Sequence, residues 1–116
     1  MTDFPFRDEG AFQIAVAIML RKELPERVIW FAVPNGEWRD PATARKLKDM
    51  GVRPGVADLM LFGEKTRLAL ELKTPKGVLS KDQKGFREVW TAIGGAYEVA
   101  RSLAEVRAVL FHYGLF

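Results

Sequence analysis

A chain of 116 residues, 48% hydrophobic and 28% charged, with no apolar run of membrane-spanning length, reads as one globular domain with a single core, expected to span 1–116. It has no cysteine and one histidine, His112, which excludes disulfides and thiolate or histidine-rich zinc sites; a metal would have to be held through oxygen, as magnesium, manganese or calcium are. The net charge of +3 is uneven, because residues 39–87 hold twelve Lys or Arg against six Asp or Glu, a basic middle that suits a polyanion such as nucleic acid and equally suits a solvated lysine-rich surface.

The polar start "MTDFPFRDEG" does not read as a signal peptide. A first helix is expected from about Asp8 to Leu24, since Phe12, Ala15, Val16, Met19 and Leu20 recur at helical spacing as one apolar stripe and Pro25 follows. "VIWFAV" at 28–33 is rich in β-branched and aromatic residues and predicts a buried strand. "PNGEWRD" is turn chemistry. Asp40 before Pro41 reads as an N-cap with proline at the first helical position, opening a short basic helix to about Met50.

"ADLMLFGEKTRLALELK" at 57–73 predicts two strands and a turn. Ser80 and Gln83 form a capping-box pattern that opens a helix with Phe86, Val89, Trp90 and Ile93 as its stripe. Gly94-Gly95 stops it, "AYEVA" is a short strand, and Ser102 with Glu105 is a second capping-box pattern before a last helix to about His112. The order α-β-α-β-β-α-β-α, with a hairpin followed by a helical crossover, predicts an α/β fold. Its sheet should be mixed, antiparallel first and then parallel through a right-handed connection.

The hairpin carries charges that a buried strand does not readily hold. A turn centred on Glu64-Lys65 pairs Phe62 with Arg67, and counting back sets Asp58 opposite Glu71, roughly 4.5–5.5 Å apart at Cα, with Lys73 on the same face. Leu68, Leu70 and Leu72 then point to the other face. A one-residue slip would scatter the set. In this register the facing carboxylates need a shared proton, a divalent cation, or a plain cross-strand salt bridge to Lys73 on a solvent-facing sheet. Glu9 falls over Val16 and Leu20 on the first helix's stripe, and Gln83 falls beside Phe86 and Trp90 on its own. Each has a local explanation, helix-dipole complementarity for one and capping for the other. Together with Asp58, Glu71 and Lys73 they suggest a polar pocket where two helix starts meet the hairpin.

Asp58, twelve intervening residues and Glu71-Leu72-Lys73 resemble the D…ExK signature of the PD-(D/E)xK nuclease superfamily. The flanks "VPNGE" (33–37), "GVRPGVADLML" (51–61), "LELKTPKGVLSKDQ" (70–83) and "GGAYEVARS" (94–102) together resemble the virus-type replication-repair nuclease (VRR-NUC) domain, in the right order over nearly the whole chain. The resemblance implies an αβββαβ core whose mixed central sheet is flanked by helices. It implies that Asp58, Glu71 and the Leu72 main-chain carbonyl hold Mg2+ or Mn2+, with Glu9 a further candidate ligand, and that Lys73 orients and helps activate the attacking water. Glu9 and Gln83 match the family's first-helix glutamate and post-motif glutamine, which complete the pocket. Ala57 stands where the family often has proline, which relaxes the backbone and keeps the ligand.

A divalent ion bound through hard oxygen ligands acidifies its water and binds a phosphate oxygen, and Lys73 adds a cation beside the developing charge. The resemblance thus implies a metal-dependent endodeoxyribonuclease acting on branched DNA such as Holliday junctions, in the cytoplasm of a bacterial or phage-infected cell. A catalytically silent DNA-binding module and a flap or nicking nuclease are the alternatives. Arg39, Arg45, Lys46, Lys48 and Arg53 before the motif, with Lys76, Lys81, Lys84 and Arg87 after it, are candidate phosphate contacts or solvated charges. Trp38 is either a base-stacking residue or a loop anchor. Small stand-alone members resemble junction resolvases in forming two-fold dimers. Ile14, Ala17 and Ile18, with the ends "FPF" and "FHYGLF", offer an apolar surface for this unless the monomer buries them.

Overall fold

A computed structural model of the chain describes residues 4–34 and 40–116. Trp38, Arg39 and most of the "VPNGE" stretch lie outside the described residues. The elements are α1 (Glu9–Glu23), β1 (Ile29–Ala32), α2 (Pro41–Asp49), β2 (Leu59–Phe62), β3 (Arg67–Leu72), α3 (Lys81–Ala92), β4 (Ala96–Ala100) and α4 (Leu103–His112). They form a four-stranded sheet in the order β1-β2-β3-β4. β1–β2 and β2–β3 are antiparallel, and β3–β4 is parallel through α3. This is the mixed α/β architecture and αβββαβ core that the sequence predicts, with α2 inserted and α4 appended.

The end signals act as expected. The Asp8 carboxylate accepts from the Ala11 amide at 2.8 Å and α1 ends at Leu24, just before Pro25. Asp40 caps α2 with Pro41 in its first turn, and Ser80 and Gln83 close a reciprocal capping box on α3. The second box differs. The Ser102 hydroxyl accepts from the Glu105 amide, but the Glu105 carboxylate accepts from the amide of Arg101, one residue before the cap.

The two sheet faces have different cores. Leu59, Leu61, Leu68, Leu70 and Leu72 pack with Phe12, Val16 and Leu20 of α1 and Val106 and Leu110 of α4, a cluster of large side chains that no water reaches. The opposite face carries a smaller cluster of Ala57, Met60, Ala69 and Phe86, with Trp90 and Tyr97 half-buried against it. Only α3 covers it. Arg67 fastens that helix by donating to the Ile93 carbonyl at α3's end (2.9 Å) and lying over the Trp90 ring, where a cation complements the helix dipole.

Three expectations need correction. The strand at 28–33 is buried only in part: β1 is an edge, and although Val28 and Trp30 pack toward the leucine core, Ile29 is 64% and Phe31 47% exposed, because among the described residues no helix lies over these two. Val89 and Ile93 on α3 are also exposed, and its packed line is Phe86 and Trp90 alone, since a single helix on a face leaves its flanks uncovered. Finally, "FPF" is not a free surface. Phe4 and Phe6 pack their rings on Phe12 at 5.4 and 5.3 Å, and Leu115 of "FHYGLF" is buried, whereas Phe111 and Phe116 are exposed.

The asymmetry makes a direct prediction. Leu70→Ala removes a side chain packed in the leucine face and should cost about 2–5 kcal/mol, whereas Val89→Ala should stay within about 0.5 kcal/mol. Urea unfolding of both variants measures the difference.

Candidate active site

The hairpin register is the expected one. Leu59 pairs with Leu70 and Phe62 with Arg67, and the Gly63 amide closes on the Thr66 carbonyl at 2.9 Å. Asp58, one residue before β2, therefore reaches the level of Glu71. Its carboxylate accepts from the Leu72 amide at 2.8 Å, which ties the loop before β2 to the end of β3. Lys73 follows β3 directly, held by its amide to the Ala100 carbonyl at 3.0 Å.

Glu71 is 1% exposed and Lys73 8%, so the solvent-facing salt bridge is ruled out. Lys73 Nζ lies 3.5 Å from Glu71 Oε2, and the same oxygen accepts from Gln83 Nε2 at 3.0 Å. Gln83 serves two masters: its Oε1 accepts from the Ser80 amide at 2.8 Å. That second bond fixes the amide orientation, since Ser80 N–H needs an acceptor and the NH2 must then face Glu71. The capping explanation and the pocket explanation for Gln83 both hold.

Burial pushes the Glu71 carboxyl up to about 8, reinforced by the neighbouring Asp58 charge and opposed by Lys73. Burial also raises Asp58, against the Leu72 amide and Lys73, which favour its charged form. Glu9, in the first turn of α1, is raised by burial too, with Lys73 opposing and Asp58 adding to the rise. Three acids, from α1, the loop before β2 and β3, thus disfavour one another's ionisation, and Lys73 is the ammonium that opposes this among the described residues.

Such a set fits a divalent cation. One carboxylate oxygen from each of Glu9, Asp58 and Glu71 lies within 4.8 Å of the others, close to the span of an oxygen shell around a hard ion. Glu71 Oε1 is buried with no hydrogen-bond partner, and an unpaired carboxylate oxygen in a dry site costs about 1–3 kcal/mol or more. An all-oxygen donor set suits Mg2+ or Mn2+ rather than zinc. Leu72, whose main-chain carbonyl is the remaining candidate ligand, is the last residue of β3.

One solved structure similar to this chain, described as a VRR_NUC domain protein, matches it with a TM-score of 0.76 at 22% identity, covering 97% of this chain and 93% of that one. This chain has the VRR-NUC fold. No protein-family model and no curated protein matches the sequence.

Two residues of this VRR-NUC fold escaped the sequence reading. Arg101 Nη1 donates to the carbonyls of Thr74 at 2.7 Å, Pro75 at 3.3 Å and Gly77 at 2.7 Å, so it latches the turn that follows Lys73. That turn folds back on the lysine stem, since a methyl at Gly77 would lie 3.3 Å from Lys73 Cδ. The second is Tyr97. Its hydroxyl is buried without a partner among the described residues, and its pKa is raised by burial first and then by the Glu71 and Asp58 charges. Gly55 has a related role. It sits at φ +82°, and a methyl there would strike the Asp82 carbonyl and come within 2.9 Å of the Gln83 amide nitrogen. Only glycine lets the loop before Asp58 rest on the first turn of α3.

The basic residues divide. Arg53 and Lys81 line one open cavity of about 560 Å3 together with Asp82, Glu88, Phe86 and Val89. Lys76, Lys84 and Arg87 are exposed, Lys76 on the turn after Lys73 and the other two on α3. Lys81, Lys84 and Arg87 therefore share the helix whose first turn supplies Gln83.

Two predictions follow from these contacts. Unfolded, Glu71 ionises near 4.5, but folded and metal-free it keeps its proton to about 8. Between those values the folded state binds more protons, so the stability it contributes is full below pH 4.5 and is lost as pH rises through 8. In EDTA the melting temperature should fall from pH 5 to pH 8, and Glu71→Gln should flatten that slope. Arg101→Met should leave three carbonyls short of a donor, cost about 1–3 kcal/mol, and speed tryptic cleavage after Lys76.

Proposed function

We propose that the protein is a divalent-metal-dependent DNA endonuclease, acting through residues 1–116 as one catalytic unit. The observation that carries this is the convergence of Glu9, Asp58 and Glu71 within 4.8 Å, beside a buried Lys73 that already contacts Glu71. The name of the structural neighbour adds to it.

In this reading Asp58, Glu71 and the Leu72 carbonyl, with Glu9 completing the set, hold Mg2+ or Mn2+. When bound, the ion supplies an acidified water and a Lewis acid for the phosphate oxygen. The chain's own residues do the rest. Lys73 orients the attacking water and sets a positive charge beside the phosphate as charge develops. Gln83 holds the Glu71 carboxylate in one rotamer, and the Leu72 amide does the same for Asp58, so the ligands are placed before substrate arrives. Arg53, Lys76, Lys81, Lys84 and Arg87 contact backbone phosphates, and Arg39 and Trp38, which lie outside the described residues, are proposed as further DNA contacts.

Branched DNA is the proposed substrate class, with a two-fold dimer presenting two such sites for paired incisions. Ile14 and Ile18, 64% and 58% exposed on one side of α1, support the dimer because the monomer leaves them uncovered. The proposed setting is the cytoplasm of a bacterial or phage-infected cell. No helix among the described residues is long and apolar enough to cross a membrane.

The decisive experiment is cleavage of labelled four-way junction, flap, nicked and linear duplex DNA with Mn2+, Mg2+ or EDTA. Metal-dependent cutting is expected, lower by at least about a hundredfold in Asp58→Ala and Lys73→Ala, with junctions preferred. Cutting that survives both substitutions would falsify the site. DNA binding without cutting under either metal would leave a catalytically silent binding module, and preference for flaps would replace the resolvase reading.

A further inference from the structure

α2 is mounted unlike the other helices. α1 packs on α4 and β3, and α3 and α4 both pack on β4. Among the described residues α2 packs against no other helix or strand, and none of its residues is buried. A helix of nine residues is also shorter than the roughly 12–15 that an isolated helix needs in water.

Its ends hold it instead. The Asp40 carboxylate accepts from the amides of Ala42 and Thr43 at 3.4 and 3.3 Å and from the Thr43 hydroxyl at 2.7 Å. At the other end the amides of Met50, Gly51 and Val52 return to the carbonyls of Lys46, Lys48 and Leu47, with Gly51 at φ +101°. A helix maintained by its caps, and adding nothing to either core among the described residues, is shaped for something outside the monomer.

The surface it offers is cationic. Arg45, Lys46 and Lys48 are all exposed; Asp49 opposes them, while Asp40 is committed to the cap. Arg45 and Lys46 border an open cavity of about 550 Å3 together with Pro41 and Met50. The next basic residue along the chain is Arg53, which lines a cavity with Lys81 on α3. The chain then runs directly into Asp58. Eight residues lie between Asp49 and Asp58, so the two are at most ~32 Å apart along the backbone, which is less than one turn of duplex DNA at about 34–36 Å.

We propose that α2 is a separate DNA-gripping arm, in which Arg45, Lys46 and Lys48 contact backbone phosphates of the duplex within one helical turn of the Asp58–Glu71 centre. The occupant is DNA rather than a second copy of this chain. Outside residues 39–87 the chain is only weakly acidic, at −3, whereas a phosphate backbone offers a dense, regular partner for three adjacent cations. The inference rests on the nuclease reading and assigns α2 to affinity rather than to chemistry.

The test is the triple variant Arg45→Gln, Lys46→Gln, Lys48→Gln, beside Arg45→Lys as the charge-keeping control. Binding to junction and duplex DNA is measured in EDTA across a salt series. Melting temperature and Mn2+ binding report on the fold and the carboxylate centre. The triple variant should melt within about 3 °C of wild type and bind Mn2+ equally. Its DNA affinity should fall roughly a hundredfold at 0.1 M salt, and its salt slope should fall by about 2–3. Arg45→Lys should match wild type. An unchanged affinity and slope would overturn the proposal. So would loss of self-association in sedimentation with DNA binding intact, which would give α2 to a second copy. If wild type itself shows no salt-dependent DNA affinity, the nuclease reading fails and the arm falls with it. That outcome is distinct from a failure confined to the triple variant.

Discussion

A carboxyl at 1% exposure on a strand buried along nearly its whole length constrains almost everything near it. Moving an unpaired carboxylate out of water costs many kcal/mol, so Glu71 persists only where the surrounding chain supplies compensation. Lys73 and Gln83 both attend its Oε2. For Gln83 to reach it, α3 must begin directly over the end of β3, which in turn requires Gly55 to let the preceding loop rest on that first turn. For Lys73 to stay, the turn after it must be held, and Arg101 does so from the end of β4. The parallel β3–β4 pairing, the crossover helix and the loop into β2 are thus tied to one side chain.

Much of this was legible in the sequence, for a definite reason. Alternating leucines in β3 and turn residues at 63–66 admit one register that keeps the apolar side chains together, and that register carries Asp58, Glu71 and Lys73 to one face. Helix ends were equally readable, because Asp8, Asp40 and Ser80 bond to amides two or three residues away and need no tertiary knowledge. What periodicity does not report is coverage. "VIWFAV" has the composition of a buried strand, and Val89 and Ile93 continue a clean helical stripe, yet all depend on a neighbour that the fold does not place there. Arg101 escaped for another reason: its partners are main-chain carbonyls, which any sequence possesses, so no residue identity signals the latch.

The two sheet faces differ in how their side chains are packed. The leucine face is closed by two helices and holds the large apolar side chains, the kind of core that fixes a fold. The other face is built from smaller or partly exposed residues under a single helix, and there the chain accommodates repelling acids and an unpartnered tyrosine hydroxyl. A site with unsatisfied polar atoms is tolerable only beside a core strong enough to absorb its cost.

Three acids drawn from α1, the loop before β2 and β3 also bear on how the molecule is held together. Glu9, Asp58 and Glu71 are far apart in sequence but converge within 4.8 Å, and without a cation the ionisation of all three would set repelling charges against the packing of α1 on the hairpin. A cation bound to all three would reverse that sign. Because the unfolded chain presents no such cluster, binding would add directly to folding stability. The constraint that makes Glu71 expensive in the metal-free protein would therefore make it a strong ligand in the proposed metal site. The same burial that holds its proton to about 8 leaves an arriving cation little water to compete with.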